Sequence, residues 1–261
     1  MSKITSDKVD IIMPNYNKGE FIGEAIQSVI NQSYRNWKLY IIDDNSKDSS
    51  KKILNKYIKN KKIKILFLKK NSGPGYCRNL GLNKSNSRLV AFLDSDDYWK
   101  KNKLASQIKF MQKNKYLFTF TDYISFYQNG KTKKIIGKTK ITKILNFNSF
   151  TKNTSINTST MIISRELIKN IRFKNLKKLE DYIFKCNLFK KNLNLLAVKF
   201  PELSAFYRLT KNTRSGSKIQ NIKYLWKLNK KFNNFNFIDN LISVVMISIN
   251  SLKKYGLKMG V

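Results

Sequence analysis

The sequence predicts an α/β fold: a parallel sheet covered by helices, followed by a helical C-terminal tail. Two observations carry this. Over the first hundred residues, short apolar runs rich in β-branched residues alternate with segments of helical periodicity. From about Lys218 the composition turns Lys- and Asn-rich, with one apolar stripe at helical spacing.

The elements follow in order. "VDIIMP" (Val9 to Pro14) is a strand that Pro14 stops. Phe21, Ile22, Ala25, Ile26, Val29 and Ile30 recur at helical spacing, and Asn17 with Glu20 has the spacing of a capping box. "KLYIIDD" (Lys38 to Asp44) and "IKILFL" (Ile63 to Leu68) are strands, with a helix over Ser49 to Asn60 between them. "NSGPGYCRNLGL" opens as a turn and continues as a helix, and "RLVAFLD" (Arg88 to Asp94) is a fourth strand. A helix then runs to about Asn114, a strand covers Tyr116 to Tyr127, and "QNGK" turns it back. "STMIIS" (Ser159 to Ser164) reads as a strand and "LEDYIFKCNLFKK" (Leu179 to Lys191) as a helix. In the tail, Ile238, Leu241, Ile242, Val245, Met246, Ile249 and Leu252 form one stripe. It fits a helix lying on an anionic bilayer or one packed on the domain.

Charge narrows the chemistry. The 261 residues contain 52 Lys+Arg against 16 Asp+Glu, a formal net charge of +36. That balance implies an anionic partner (nucleic acid, anionic lipid or a phosphorylated substrate), or an A/T-rich genome filling solvated faces with lysine. Histidine is absent, which excludes Ser-His-Asp and Cys-His catalysis and every His-containing zinc site. Cys77 and Cys186 stand far apart with no CxxC spacing, so neither a thiolate zinc site nor a disulfide framework is indicated. The N-terminus has no apolar h-region and no run reaches about 18 apolar residues, so a cytoplasmic location is expected.

The acids are not scattered. Asp43, Asp44 and Asp48, then Asp94, Asp96 and Asp97, then Glu180 and Asp181 make up half of all the carboxylates. Two of these clusters follow predicted strands, where parallel sheets bind ligands. Clustered carboxylates repel and call for a counter-charge, and Mg²⁺ or Mn²⁺ is the natural one for hard oxygen ligands. The alternative for Asp94 to Asp97 is an exposed turn with helix-capping duty.

Taken together, "VDIIMPNYNKGEFIGEAIQSVINQSYRNWKLYIIDDNSKDSS", "NSGPGYCRNLGL", "AFLDSDDYW" and "LEDYIFKCNLFKK" resemble a family 2 glycosyltransferase of the GT-A type. The resemblance implies a Rossmann-like nucleotide-binding half over residues 1–100. A mixed-sheet acceptor half would follow over 101–217, and a basic amphipathic tail over 218–261. It implies one inverting transfer of a sugar from a nucleotide-diphosphate donor, UDP by family frequency, to a hydroxyl of a glycan or lipid-linked glycan, as in bacterial surface-polysaccharide assembly. It also implies a divalent metal, Mn²⁺ or Mg²⁺.

By residue, Pro14 and Tyr16 would lie along the base and Asp44 would accept a hydrogen bond from it, with its neighbour Asp43 as the alternative. Arg78 would reach the ribose or diphosphate. Asp94 and Asp96 would form the metal-binding DXD element, Asp96 the more direct ligand and Asp94 nearer the ribose, with Asp97 supporting either. Asp181 would be the general base with Glu180 beside it, a carboxylate being the base left to a chain without histidine. Arg208 or Arg214 would serve as a late basic element near the diphosphate. No QxxRW element is present, so single-sugar addition is expected.

Two other classes compete. A nucleic-acid-binding protein would account for the charge and aromatics but has no need of clustered acids. A nucleotidyltransferase would share metal and carboxylates but lacks here a Gly-rich loop after the first strand.

Overall fold

A computed structural model describes residues 7–129, 132–138, 143–154, 156–209 and 218–255. The first part of the chain is β1 (Val9–Asn15), α1 (Ile22–Ile30), β2 (Trp37–Asp43), α2 (Ser50–Asn55), β3 (Ile63–Phe67), α3 (Pro74–Lys84) and β4 (Leu89–Phe92). Next come β5 (Tyr98–Trp99), α4 (Lys103–Asn114), β6 (Phe118–Asn129), β7 (Thr132–Lys138), β8 (Ile144–Leu145), α5 (Phe147–Lys152) and β9 (Ile162–Ser164). The remainder is α6 (Glu180–Lys191), β10 (Ala197–Leu209), α7 (Lys218–Leu228) and α8 (Phe237–Tyr255).

Ten strands of the described residues form one sheet, its main path running β3-β2-β1-β4-β9-β6-β10-β5. The first four are parallel, with β1 between β2 and β4. Their central residues (Ile11, Ile12, Ile41, Ile42, Val90 and Ala91) are fully buried, as expected of strands covered on both faces. The chain winds outward from β1 to β3 and then returns to the other side of β1 for β4. That reversal is a topological switch point, and it opens a crevice at the carboxyl ends of β1, β2 and β4. Beyond β4 the sheet becomes mixed: β9 is antiparallel to both β4 and β6, while β10 is parallel to β6.

Helix α1 buries Ile22, Ala25, Ile26 and Val29, the stripe its spacing predicts. Helix α3 lies close on the sheet because Gly81 is small: a Cβ there would come within 2.6 Å of Ile12 and 3.0 Å of Ile42.

Several sequence expectations need correction. Asn17 and Glu20 form no capping box. Asn17 adopts a left-handed backbone (φ 50°) and its side chain accepts from Lys47 N instead, so α1 starts after a further turn. Helix α2 stops at Asn55, short of Asn60. "STMIIS" divides into a 3-10 turn, Thr158–Thr160, and the short strand β9. Strand β10, not predicted at all, carries Pro201 at a break where its register against β6 shifts twice. Cys77 and Cys186 are free, buried thiols, and burial pushes Cys186 up to about 12, in keeping with inert fillers.

Candidate active site

The crevice is built from strand ends outward. At the end of β1, Asn15 donates to Asp43 (2.7 Å) and to Ser46 (3.2 Å), and Asp43 accepts from Ser46 N and Oγ. Asp43 is fully buried and serves to close the β1 and β2 ends together. Asp44, 2% exposed, accepts from Ser72 N at 2.7 Å and Gly73 N at 2.8 Å, so it fixes the loop that enters α3. Gly73 has φ 88°, a conformation that favours glycine, and Pro74 then starts the helix. Pro14 is buried within β1 beside Ile42, whereas Tyr16 stands 41% exposed at the rim, where a ring can meet a flat ligand.

The second wall follows β4. Asp94 pairs with Arg78 (Nη2 to Oδ1, 2.7 Å), and the other arm of that guanidinium holds Glu180 at 2.9 Å. Arg78 is therefore spent between two carboxylates rather than aimed at open space. It is 4% exposed; burial acts to lower its pKa, but Asp94 and Glu180 reverse this and raise it. Breaking a buried pair of this kind by removing one partner costs about 3–5 kcal/mol, because the other charge stays behind. Asp96 pairs with Lys18 at 2.7 Å. Lys18 is placed from the far side of the crevice: its backbone N donates to Ser50 Oγ, and the adjacent Gly19 N donates to Asp48 at 2.7 Å.

Asp97 differs from its neighbours. It is 1% exposed and accepts from Ser159 Oγ (2.6 Å) and Arg208 N (3.0 Å), so it ties the loop after β4 to the second half of the sheet. Burial, then the charges of Asp96 and Asp94, raise its pKa well above the ordinary carboxylate value. Arg208 also donates from Nε to the backbone oxygen of Asp96 (2.8 Å) and pairs with Glu24, and its guanidinium lies 4.4 Å from the ring of Phe21. Arg214 lies outside the described residues.

The 3-10 turn Thr158–Thr160 connects the two walls. Ser159 Oγ accepts from Asp94 N at 3.1 Å, and the preceding Thr158 donates to Asp181 at 3.1 Å. Asp181 sits in the first turn of α6, where the helix dipole favours a carboxylate. The chain enters that helix through Leu179 in a left-handed conformation (φ 58°), uncommon for a bulky residue and of the kind that gathers at functional sites. Lys185, one turn on and 2% exposed, donates to Asp181 at 2.7 Å and to Thr158 at 3.1 Å. Burial acts to raise the Asp181 pKa, but Lys185, with Arg78 and Thr158, brings it down to about 2, so the side chain is an ionised carboxylate at neutral pH. About a third of it remains exposed, open to a ligand in the crevice.

Asp94, Arg78 and Glu180 thus form one ionic chain that ends next to Asp181, and Asp96 reaches Asp94 through Arg208, Asp97 and Ser159, while Asp44 stands apart, bonded to the loop that enters α3. Lys18, Thr158 and Ser159 are the connectors that the sequence does not reveal, because they carry no motif signal in a chain this rich in lysine, serine and threonine. Among the described residues, no three acidic or cysteine side chains converge to hold a metal unaided. Asp94 and Asp96 nonetheless suit a hard divalent ion. They are partly exposed carboxylates, the Lys18 ammonium already sits against Asp96, and such ions commonly bind one or two carboxylates plus substrate phosphates. A groove of about 560 Å³ beside α1 is separate from this network except that both include Glu24.

Known proteins place the chain. Residues 10–172 match the family described as Glycosyl transferase family 2. The chain is 34% identical over 248 residues to the putative teichuronic acid biosynthesis glycosyltransferase TuaG of Bacillus subtilis, covering 94% of this chain and 96% of that protein. It is 35% identical over 219 residues to the Escherichia coli UDP-Glc:alpha-D-GlcNAc-diphosphoundecaprenol beta-1,3-glucosyltransferase WfgD, covering 84% of this chain and 83% of that one. Among solved structures, S. aureus TarS 1-349 in complex with UDP-GlcNAc superposes with a TM-score of 0.71 at 21% identity, covering 94% of this chain and 73% of that one. The Pyrobaculum calidifontis mannosyltransferase PcManGT, in complex with GDP-Man and Mn²⁺, superposes at 0.68 with 12% identity, covering 92% and 70%. With strand-end carboxylates, switch-point topology and these relatives in agreement, the chain belongs to glycosyltransferase family 2 and has the GT-A fold.

Proposed function

We propose that the protein moves one sugar from a nucleotide-diphosphate donor, a UDP-sugar, to a hydroxyl of a lipid-linked glycan, with inversion, in the assembly of a surface polysaccharide at the cytoplasmic side of the membrane. The observation that carries this is the continuous link Asp94–Arg78–Glu180, ending beside the ionised Asp181. It runs from the donor rim of residues 1–100 to Glu180, the immediate neighbour of the ionised Asp181, in the acceptor half, 101–217.

In this reading the base of the donor lies against Tyr16 at the rim, with Pro14 behind it, and Asp44 accepts from the base. Asp44 already receives two backbone N–H groups and has further lone pairs for a third donor. Arg78 acts through Asp94, holding it toward the ribose, rather than touching the diphosphate itself. A divalent ion, Mn²⁺ or Mg²⁺, held by Asp96 and Asp94 would, when bound, stabilise the charge growing on the departing diphosphate. Lys18, already against Asp96, would stand beside such an ion as a second cation near the phosphates. Asp181 orients the acceptor hydroxyl through one carboxylate oxygen and takes its proton as it attacks the anomeric carbon. Thr158 and Lys185 keep the carboxylate ionised and fixed in one orientation.

Two supports come from the relatives: TarS was solved with UDP-GlcNAc, and the name of WfgD specifies UDP-Glc and a diphosphoundecaprenol acceptor. The test is a transfer assay with UDP-sugars and a diphosphoundecaprenol-linked sugar, reading the anomeric configuration of the product by NMR. One added sugar of inverted configuration is expected, with Asp181→Asn lowering turnover at least about a thousandfold. Retained configuration, or normal turnover by Asp181→Asn, would overturn the assignment of the base.

A further inference from the structure

From Phe237 to Leu252, eight large apolar side chains of α8 are each at least 39% exposed. They are not the frayed side of a loose helix. The opposite face is fixed by buried polar bonds: Asn229 donates to Asn240 (3.1 Å) and Ser243 (3.1 Å), and Ser243 donates to the Thr151 backbone (2.6 Å). Asn229 in turn accepts from Tyr182 of α6 at 2.7 Å, and Asn250 donates to the Lys152 backbone at 3.0 Å. Asn240, Ser243 and Val244 are buried, while Ile238, Leu241, Ile242, Val245, Ile249 and Leu252 face away from the protein. A helix this firmly docked presents its apolar stripe in one direction.

The surroundings of the stripe are basic. Trp226 of α7 packs edge-on against Phe237 at 5.4 Å, and Lys223, Lys227, Lys230 and Lys231 are exposed around this corner. Residues 218–255 contain seven lysines and a single acid, Asp239. No helix of the described residues is long and apolar enough to cross a membrane, and one face of α8 is already occupied by protein.

We infer that the α7–α8 hairpin is a docking surface for an anionic lipid bilayer, with the α8 stripe entering the headgroup–acyl boundary and the flanking lysines reading lipid charge. Charge chooses this occupant over two others. A two-fold pairing of the same face would bring identical lysine clusters together and repel. Nucleic acid would meet a stripe that is aliphatic apart from Phe237 at one end, with too few rings in a row for successive bases to stack on. Trp226 and Phe237 at the edge of the stripe suit the interfacial zone, which favours aromatic rings. The inference extends the reading of a lipid-linked acceptor, since it would bring the crevice to where such an acceptor is held.

The test is flotation of the full chain with vesicles of phosphatidylcholine alone or with about one third phosphatidylglycerol, at low and high salt. Wild type is expected to float with the anionic vesicles and to be largely released by high salt. The double variant Leu241→Asp/Val245→Asp should partition at least about tenfold less, and Lys227→Glu/Lys230→Glu a comparable amount less, given about fivefold per lysine. All four positions are exposed, so circular dichroism melts should match wild type. Wild type left behind by anionic vesicles would overturn the inference, as would equal flotation on neutral vesicles. A dimer seen by light scattering that Leu241→Asp/Val245→Asp dissolves would assign the stripe to a second copy instead. Nucleotide binding measured on the same samples separates the cases: vesicle binding lost with donor binding intact overturns the docking alone, leaving the transferase reading in place.

Discussion

Asp94, Asp96 and Asp97 lie within four residues, and each solves the problem of its charge differently. Asp94 is matched by Arg78 and Asp96 by Lys18, while Asp97 is buried, shifted toward its protonated form, and used to join the loop to Ser159 and Arg208. Only the first two remain available to a ligand. Asp181 illustrates the same economy, because Lys185 fixes both its orientation and its ionisation. The sign follows from its lowered pKa. The attraction is fully present at neutral pH and is lost as pH falls from the ordinary 3.8 toward about 2. Replacing Lys185 with Met removes the largest lowering influence and leaves burial, which raises the pKa. The acid limb of kcat/KM is therefore expected to move up by at least about one pH unit in Lys185→Met and to return in Lys185→Arg. An unmoved limb would mean that Asp181 does not govern it. Lys177, Lys178 and Lys185 all lie within five residues of Glu180 and Asp181. The i,i+4 spacing on α6 selects Lys185 for Asp181, while Glu180 turns to Arg78, 102 residues away in sequence, a pairing no local pattern reveals.

At the scale of elements, the crevice depends on how closely α3 approaches β1 and β2. Gly81 allows this, and Gly81→Ala is expected to destabilise the fold by about 1–3 kcal/mol, since Ile12 and Ile42 sit too near to yield freely. Gly23 on α1 is the control: the nearest atom to its Cβ is Ile53 at 3.9 Å, so Gly23→Ala should be neutral or stabilise by up to about 1 kcal/mol. Urea unfolding of the two variants distinguishes local packing from a general effect of alanine. The elements legible in the sequence are β1 to β4 and β6, from their apolar runs, and α1, α3, α4, α6 and α8. Strand β10 escaped because Pro201 and Glu202 interrupt its alternation just where the sheet register shifts. The hub turn Thr158–Thr160 escaped because "NTST" is equally good as a loop or a strand start, and only the partners it meets in space give it meaning.

Across the whole molecule, one continuous sheet brings together acids from three distant stretches of a chain whose net charge is +36. Such a surplus makes sixteen carboxylates scarce, and concentrating half of them at one crevice and its approaches is what makes the site legible in the sequence. The ionic links between strand ends required the fold. Arg78 connects Asp94 to the start of α6 only because β9 inserts beside β4 and brings the second half of the chain against the first. The proposed function requires that a nucleotide diphosphate bind at this switch point with a cation held by Asp96. Calorimetric titration of the wild-type chain and Asp96→Asn with UDP, GDP, dTDP and CDP, each with and without Mn²⁺, is the decisive experiment. One nucleotide should bind wild type with Mn²⁺, and Asp96→Asn should lose at least about tenfold of that affinity while its metal-free binding stays unchanged. No binding of any of the four, or equal Mn²⁺-dependent affinity in Asp96→Asn, would contradict it.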